Sequence, residues 1–257
     1  MSQPSLRVEV VGRRATLTLD RPPLNILDLE LLSRLDEAVA ELGTRPDLHL
    51  VVLQGAGPKA FSAGVSVQDH TADKVAGMLA TFHRLLLALR RLPALCLAAV
   101  DGHCLGGGME LALACDLVLA SRRSRFGQPE IELGCFPPFA AALYPQRIGR
   151  SRTLDLLVTG RTLTARQAER LGLATWVSPD DAYQHDLADL IERLTNTRSG
   201  AVMRLTKQAV AAGESLPLPE ALAEAERLYT EELLAVEDMQ EGLAAFLEKR
   251  RPSWRHR

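Results

Sequence analysis

Aromatic residues are scarce, at 4% of a 257-residue chain, so any core has to be assembled from Leu, Val, Ile and Ala. Charge of one sign is also missing: 30 Lys and Arg against 32 Asp and Glu give a formal net charge of −2. That balance removes the electrostatic case for a nucleic-acid binder. No apolar run reaches the length of a membrane span, because arginines interrupt the richest stretch around Leu85 to Val100. The opening MSQPSLRVEV lacks the basic-then-apolar order of a signal peptide. The four cysteines, Cys96, Cys104, Cys115 and Cys135, have no Cys-x-x-Cys spacing, so buried reduced thiols are expected rather than a metal site. The six histidines form no His-Glu-x-x-His pair, and no Gly-x-Ser-x-Gly elbow is present. A cytoplasmic protein without membrane, nucleic-acid or metal partners is the expectation. The basic end, Lys249 to Arg257, reads as a solvated tail.

What is present is a chain long enough to bury a full core, organised as strands alternating with helices. Val8, Val10, Ala15, Leu17 and Leu19 flank Gly12-Arg13-Arg14 in a hairpin pattern. Asp28 to Leu42 carries apolar residues at helical spacing and stops at Gly43, a C-cap candidate. Leu48 to Leu53, Leu95 to Val100 and Leu117 to Ala120 are short apolar runs suited to buried strands. Lys74 to Leu92 predicts a helix ended by Pro93, and another helix is expected from near Met109. From Ser151 onward helices dominate, over 153–158, 164–171, 181–195, 201–212, 219–234 and 237–249. This alternation predicts α/β architecture.

Three segments could carry chemistry. In KAFSAGV, residues 59–65, small residues after a buried strand let a ligand approach the backbone; an ordinary tight turn would look the same. In GHCLGGGMEL, residues 102–111, three glycines before a helix leave N–H groups uncovered at its positive end. Leu111 stands where a dinucleotide fingerprint needs its third glycine, and no Lys-Ser/Thr pair follows as in a P-loop. Glu110 enters a helix that continues Leu-Ala-Leu-Ala-Cys, an apolar setting in which a carboxylate is costly unless paired or functional. In FGQPEIELG, residues 126–134, either Glu130 or Glu132 could equally be a solvated surface charge.

At these separations, KAFSAG, GGGMELALACD and FGQPEIELG together resemble the crotonase (enoyl-CoA hydratase/isomerase) superfamily, over nearly the whole chain. The resemblance implies a crotonase-type spiral of β-β-α units over residues 1–195, holding the CoA and catalytic site. It implies a C-terminal helical region over 196–257 for trimerisation and cover of the active site, with a homotrimer or homohexamer as the assembly. The ligand it implies is an acyl-CoA thioester, with no cofactor beyond the CoA of the substrate. Carried over by motif, the N–H groups of Val65 and Gly107 would form an oxyanion hole, and Glu110 with Glu130 would be the catalytic acid–base pair of a hydratase. Leu24, Ala63 and Val67 fall where the family meets CoA.

Two departures stand out. Ser66 replaces the usual aspartate, so any role of that acid does not transfer. Pro137-Pro138-Phe139-Ala140-Ala141 replaces a glycine-rich stretch and is one residue shorter, which places Phe139 in a reshaped acyl pocket. RPPLNILDLELL, FSAGVSVQDHTADKVAGML and FGQPEIELGCFPPFAAAL most resemble the cyclohexa-1,5-diene-1-carbonyl-CoA hydratases, which add water 1,4 to a cyclic dienoyl thioester in aromatic degradation. General 2-enoyl-CoA hydration remains an alternative. So do isomerisation, hydrolysis or decarboxylation within the family, and a non-catalytic CoA-binding scaffold.

Overall fold

The computed structural model describes residues 5–256; Arg257 of the basic tail and the first four residues of the opening segment lie outside it. The hairpin forms as expected from β1 (Leu6–Val11) and β2 (Arg14–Leu19), paired antiparallel around Gly12. Helix α1 (Leu29–Gly43) starts where the Asp28 carboxylate accepts a hydrogen bond from Leu31 N at 2.9 Å. Such a cap satisfies one of the orphan donors of a helix start. Its buried stripe is Leu31, Leu32, Leu35, Val39 and Leu42. Thr44, not Gly43, is the C-cap, in right-handed geometry that needs no glycine.

After α1 the chain makes three turns of one motif. The first is β3 (Leu50–Gly55), β4 (Ala60–Ser62) and α2 (Val75–Arg91). The second is β5 (Leu95–Val100), β6 (His103–Leu105) and α3 (Gly107–Ala114). The third is β7 (Leu117–Ser121) and β8 (Arg125–Gly127), followed by a 3₁₀ turn over Pro129–Leu133 and α4 (Pro138–Ile148). Each turn gives its long strand to one sheet and its short strand to another. The six-stranded sheet runs β1-β2-β3-β5-β7-β10 and the four-stranded sheet β4-β6-β8-β9, with β9 (Leu163–Thr164) and β10 (Trp176–Ser178) as late additions. Pairing is parallel except for β1–β2 and β8–β9. The buried core is mainly aliphatic, as the aromatic-poor composition requires, with Phe61, Phe82, Phe126 and Tyr144 as its largest members.

The remaining helices are α5 (Arg150–Thr159), α6 (Ala165–Leu171), α7 (Tyr183–Asn196), α8 (Gly200–Ser215), α9 (Leu218–Arg227) and α10 (Glu237–Leu247). The single helix expected over 219–234 is broken: a π turn occupies Leu228–Glu232 and a 3₁₀ turn Leu233–Ala235. Helix α3 begins two residues before Met109, at Gly107. The largest difference is α4, where a run with three prolines forms a helix. Pro138 occupies its first turn, where a missing N–H costs nothing. Among the described residues, no helix is long and apolar enough to cross a membrane.

Helix α8 is tied to the sheet by Lys207, whose Nζ donates to Asp116 Oδ2 at 2.7 Å and to Ala94 O at 3.0 Å. Cys96 N donates to the same carboxylate oxygen at 2.7 Å. In the basic tail, Arg250 pairs with Glu241 and Glu248, and Arg255 with Glu237.

Candidate active site

The ends of β4, β6 and β8 lie side by side in the second sheet, and the three segments singled out in the sequence follow directly from them. Residues 63–66 run along residues 24–27: Ala63 N donates to Leu24 O, Leu27 N to Gly64 O, and Ser66 N to Leu27 O, each at 2.9 Å. Between these bonds Val65 N is left without a backbone acceptor among the described residues, and so is Gly107 N at the start of α3. The two residues are adjacent, since a Cβ placed on Gly107 would come within 2.6 Å of Val65 Cγ2. The positive end of α3 therefore presents an unused N–H beside a second one from a neighbouring loop, an arrangement suited to a negative oxygen.

Glu110 follows in the same helix, every residue of which is buried, and is itself only 4% exposed. Its Oε1 accepts a hydrogen bond from Ala140 N at 2.8 Å. The first turn of α4 therefore faces this carboxylate with its free N–H groups, which favours the anion. Burial acts in the opposite direction and is stronger. It pushes the Glu110 carboxyl up from 4.5 to about 7, with the nearby charge of Glu130 adding to the rise.

Glu130 reaches the same place from the 3₁₀ turn after β8. It is half-buried whereas Glu132 is exposed, and its charge acts on Glu110. Burial also raises Glu130 to about 7, opposed by its own backbone N–H. Gly106, at φ +53°, makes room for it: a Cβ there would lie 2.7 Å from Glu130 Oε1. Two carboxyls that titrate near neutrality can hold one proton between them, ready to accept at one and donate from the other.

The other expected ligand residues are distributed around this pair. Phe139 is half-buried at the start of α4, and its backbone N–H also favours the Glu110 anion. Ala63 and Leu24 are joined by the hydrogen bond above, Leu24 being exposed. Val67 projects outward at 62% exposure. A cavity of about 340 Å³ lies alongside this strip, lined in part by Arg21, Asp28, Ser66 and Asp69. A separate cavity of about 1150 Å³ between α8, α10 and the sheet includes none of the expected site residues.

Sequence reasoning missed two members of the cluster. Gln128 and Tyr144 are both fully buried, with the Gln128 amide 2.6 Å from the Tyr144 hydroxyl on one side and beside Glu130 on the other. A buried polar pair of this kind leaves one faint trace in the sequence, a tyrosine within an otherwise apolar helix face in a chain that has only three tyrosines.

Comparison with known proteins gives a consistent picture. The family model described as enoyl-CoA hydratase/isomerase matches residues 13–257. A cyclohexa-1,5-dienecarbonyl-CoA hydratase of Thauera aromatica is 38% identical over 248 residues, covering 96% of this chain and 94% of the relative. A short-chain-enoyl-CoA hydratase of Clostridium acetobutylicum is 32% identical over 253 residues, 95% of each chain. The crystal structure of an enoyl-CoA hydratase from Bacillus anthracis superposes with a TM-score of 0.92 at 28% identity, covering 99% of this chain and 100% of the other.

Proposed function

The chain belongs to the enoyl-CoA hydratase/isomerase family and is an enzyme of the hydratase type, and from that premise we propose that it adds water across an α,β-unsaturated acyl-CoA thioester through Glu110 and Glu130. The observation that carries this reading is the meeting of two carboxyls, each raised to about 7, beside the free N–H groups of Val65 and Gly107. The thioester oxygen sits between those two N–H groups, which stabilise the enolate as its charge grows. The ionised member of the pair takes a proton from water as the C–O bond forms at the β-carbon, and in a cyclic 1,5-diene the resulting dienolate is open to protonation at its far carbon. The protonated member delivers its proton to the carbon that completes the addition. The pair ends with one proton, as it began, now on the other carboxyl.

For the acyl group we favour a cyclic 1,5-diene hydrated 1,4. Support comes from the Thauera aromatica relative's name and from the replacement of a glycine-rich stretch by the ordered first turn of α4 with Phe139. CoA is expected along Leu24, Ala63 and Val67. A homotrimer or homohexamer is part of the proposal, supported by apolar side chains left exposed on the C-terminal helices, among them Leu218, Phe246 and Leu247 at 80% or more. A cytoplasmic setting accords with four free cysteines.

The test offers purified protein crotonyl-CoA and cyclohexa-1,5-diene-1-carbonyl-CoA separately and detects the hydrated product by mass spectrometry. Hydration of the cyclic diene, lost in Glu110→Gln and in Glu130→Gln, is the expected result. Preference for crotonyl-CoA would assign the general 2-enoyl-CoA reaction instead. No product from either thioester would overturn the hydration reading.

A further inference from the structure

Gln128 stands two residues before Glu130, and neither its side chain nor that of Tyr144 in α4 has any contact with solvent. One end of the Gln128 amide lies 2.6 Å from Tyr144 Oη. The other end lies 3.1 Å from Glu130 Oε1, 3.1 Å from Glu130 Oε2 and 3.3 Å from Gly106 O. A backbone carbonyl and a carboxylate offer only lone pairs, so the end facing them must be the NH₂. The amide oxygen then faces Tyr144, which has to donate its hydroxyl proton. The opposite orientation would press the amide oxygen against three acceptors with no solvent to relieve it.

We infer that Tyr144 is a positioning residue for the hydration, acting through Gln128: its hydroxyl proton fixes the amide so that the NH₂ holds the Glu130 carboxylate against Gly106. This rests on the reading of Glu130 as a catalytic carboxyl. The chain of bonds runs from Tyr144 O–H to Gln128 O, and from Gln128 N–H to Glu130 O and Gly106 O. Gly106 is the residue before the N–H proposed to bind the thioester oxygen. One buried amide therefore braces the carboxylate and the start of the oxyanion site together. The hydroxyl itself does not take part in proton transfer, because burial, with the negative charge of Glu110 adding to it, raises the Tyr144 phenol well above its ordinary value.

The bracing has a directional consequence. An N–H donated to a carboxylate favours its charged form, so the correctly oriented amide holds Glu130 lower than burial alone would. Without the tyrosine hydroxyl the amide oxygen loses its hydrogen-bond partner, and the amide is held against Glu130 and Gly106 from one side only. The titratable groups facing Glu130 are Glu110 from α3, Cys135 from the segment after the 3₁₀ turn and Tyr144 from α4. Of these, Tyr144 is the one bonded to the amide.

The experiment compares wild type with Tyr144→Phe, Gln128→Met and the double variant, each keeping the buried volume nearly constant. Infrared difference spectra over a pH titration follow the carboxyl stretch of Glu130, assigned by its loss in Glu130→Gln. Hydration is followed on whichever thioester the wild type accepts. Tyr144→Phe is expected to move the Glu130 transition upward by about one pH unit and to lower kcat by about tenfold, with KM within about twofold. In the Gln128→Met background, adding Tyr144→Phe is expected to change neither quantity further, because its effect passes through the missing amide. A Glu130 transition that stays in place in Tyr144→Phe would overturn the inference, and so would effects of the two substitutions that simply add. The infrared titration needs no substrate, so it reads the bracing even where the hydration reading fails for want of product.

Discussion

Replacing Glu110 by glutamine removes a carboxylate held almost without solvent, and stability should respond in a way that depends on pH. The Glu110 carboxyl rises from its ordinary 4.5 to about 7 in the fold, mainly because burial penalises its charge. Between those two values the folded protein binds more protons than the unfolded chain. Stability contributed by this group is therefore complete below pH 4.5, declines as pH rises and levels off above about 7. A tenfold change in proton affinity is worth about 1.4 kcal/mol, so the ionised carboxylate costs about 3 kcal/mol at pH 8. Glutamine keeps an oxygen for the 2.8 Å hydrogen bond from Ala140 N and carries no charge. For a chain of this size the gain corresponds to roughly 6–12 °C in Tm near pH 8 and to almost nothing near pH 4.5. Differential scanning calorimetry of the two proteins at both pH values checks this, with assembly state and concentration held fixed. A Tm difference that is the same at both pH values would refute the reasoning, because it would show that the stability effect does not come from ionisation. The same variant is expected to lose hydration by about 10²- to 10⁴-fold, so the activity loss and the stability gain should appear together.

Two further substitutions test the frame around the site. Lys207→Met leaves Asp116 charged and without its ammonium partner in a largely buried position, and should lower stability by about 3–5 kcal/mol. A urea midpoint that does not move would contradict the tether between α8 and the sheet, and Asp116→Asn in the same chain should recover part of the loss. Gly106→Ala places a methyl 2.7 Å from Glu130 Oε1 at φ +53°, so the carboxylate must shift. Because a misplacement of about 1 Å can cost roughly 10²-fold, kcat should fall by that order while CoA affinity, measured by calorimetry, stays within about twofold. Unchanged kcat would show that this close approach is unimportant.

The sequence made some parts of this molecule easy to read and others nearly silent, for physical reasons. Long elements with a buried stripe, such as α1 with Leu31, Leu35, Val39 and Leu42, announce themselves through spacing. The buried strands of the six-stranded sheet do so through continuous apolar runs. Strands β4 and β6 have three residues each, too few for any period, and the segment holding β4 reads as a turn. Helix α4 was hidden because Pro137, Pro138 and Pro145 look like breakers, although a first-turn proline suits a helix. Glu110 was legible as a carboxylate inside an apolar helix. Glu130 could not be separated from Glu132 by local sequence; the family resemblance singled it out, and burial in the fold distinguishes it. The Gln128–Tyr144 contact spans 16 positions and two elements, so nothing in either local segment reports it.

The two-sheet winding sets a fixed ruler for the chemistry. Val65 follows β4, Gly107 and Glu110 follow β6, and Glu130 follows β8, three neighbours in one parallel ladder. Adjacent strands are held about 4.8 Å apart by backbone hydrogen bonds, so the span from the first segment to the last is about 10 Å whatever side chains are chosen. Sequence change at Phe139 or Val65 can alter how that span is filled without altering its length. In the proposed mechanism, diversification in such a scaffold therefore proceeds through the shape and polarity of the acyl group, while the spacing between the Val65 and Gly107 N–H groups and the carboxyl-bearing segments stays constant. In the proposed mechanism each winding also supplies something the others lack, so activity requires all three turns folded at once. Loss of activity should accordingly be as cooperative as unfolding of the sheet itself.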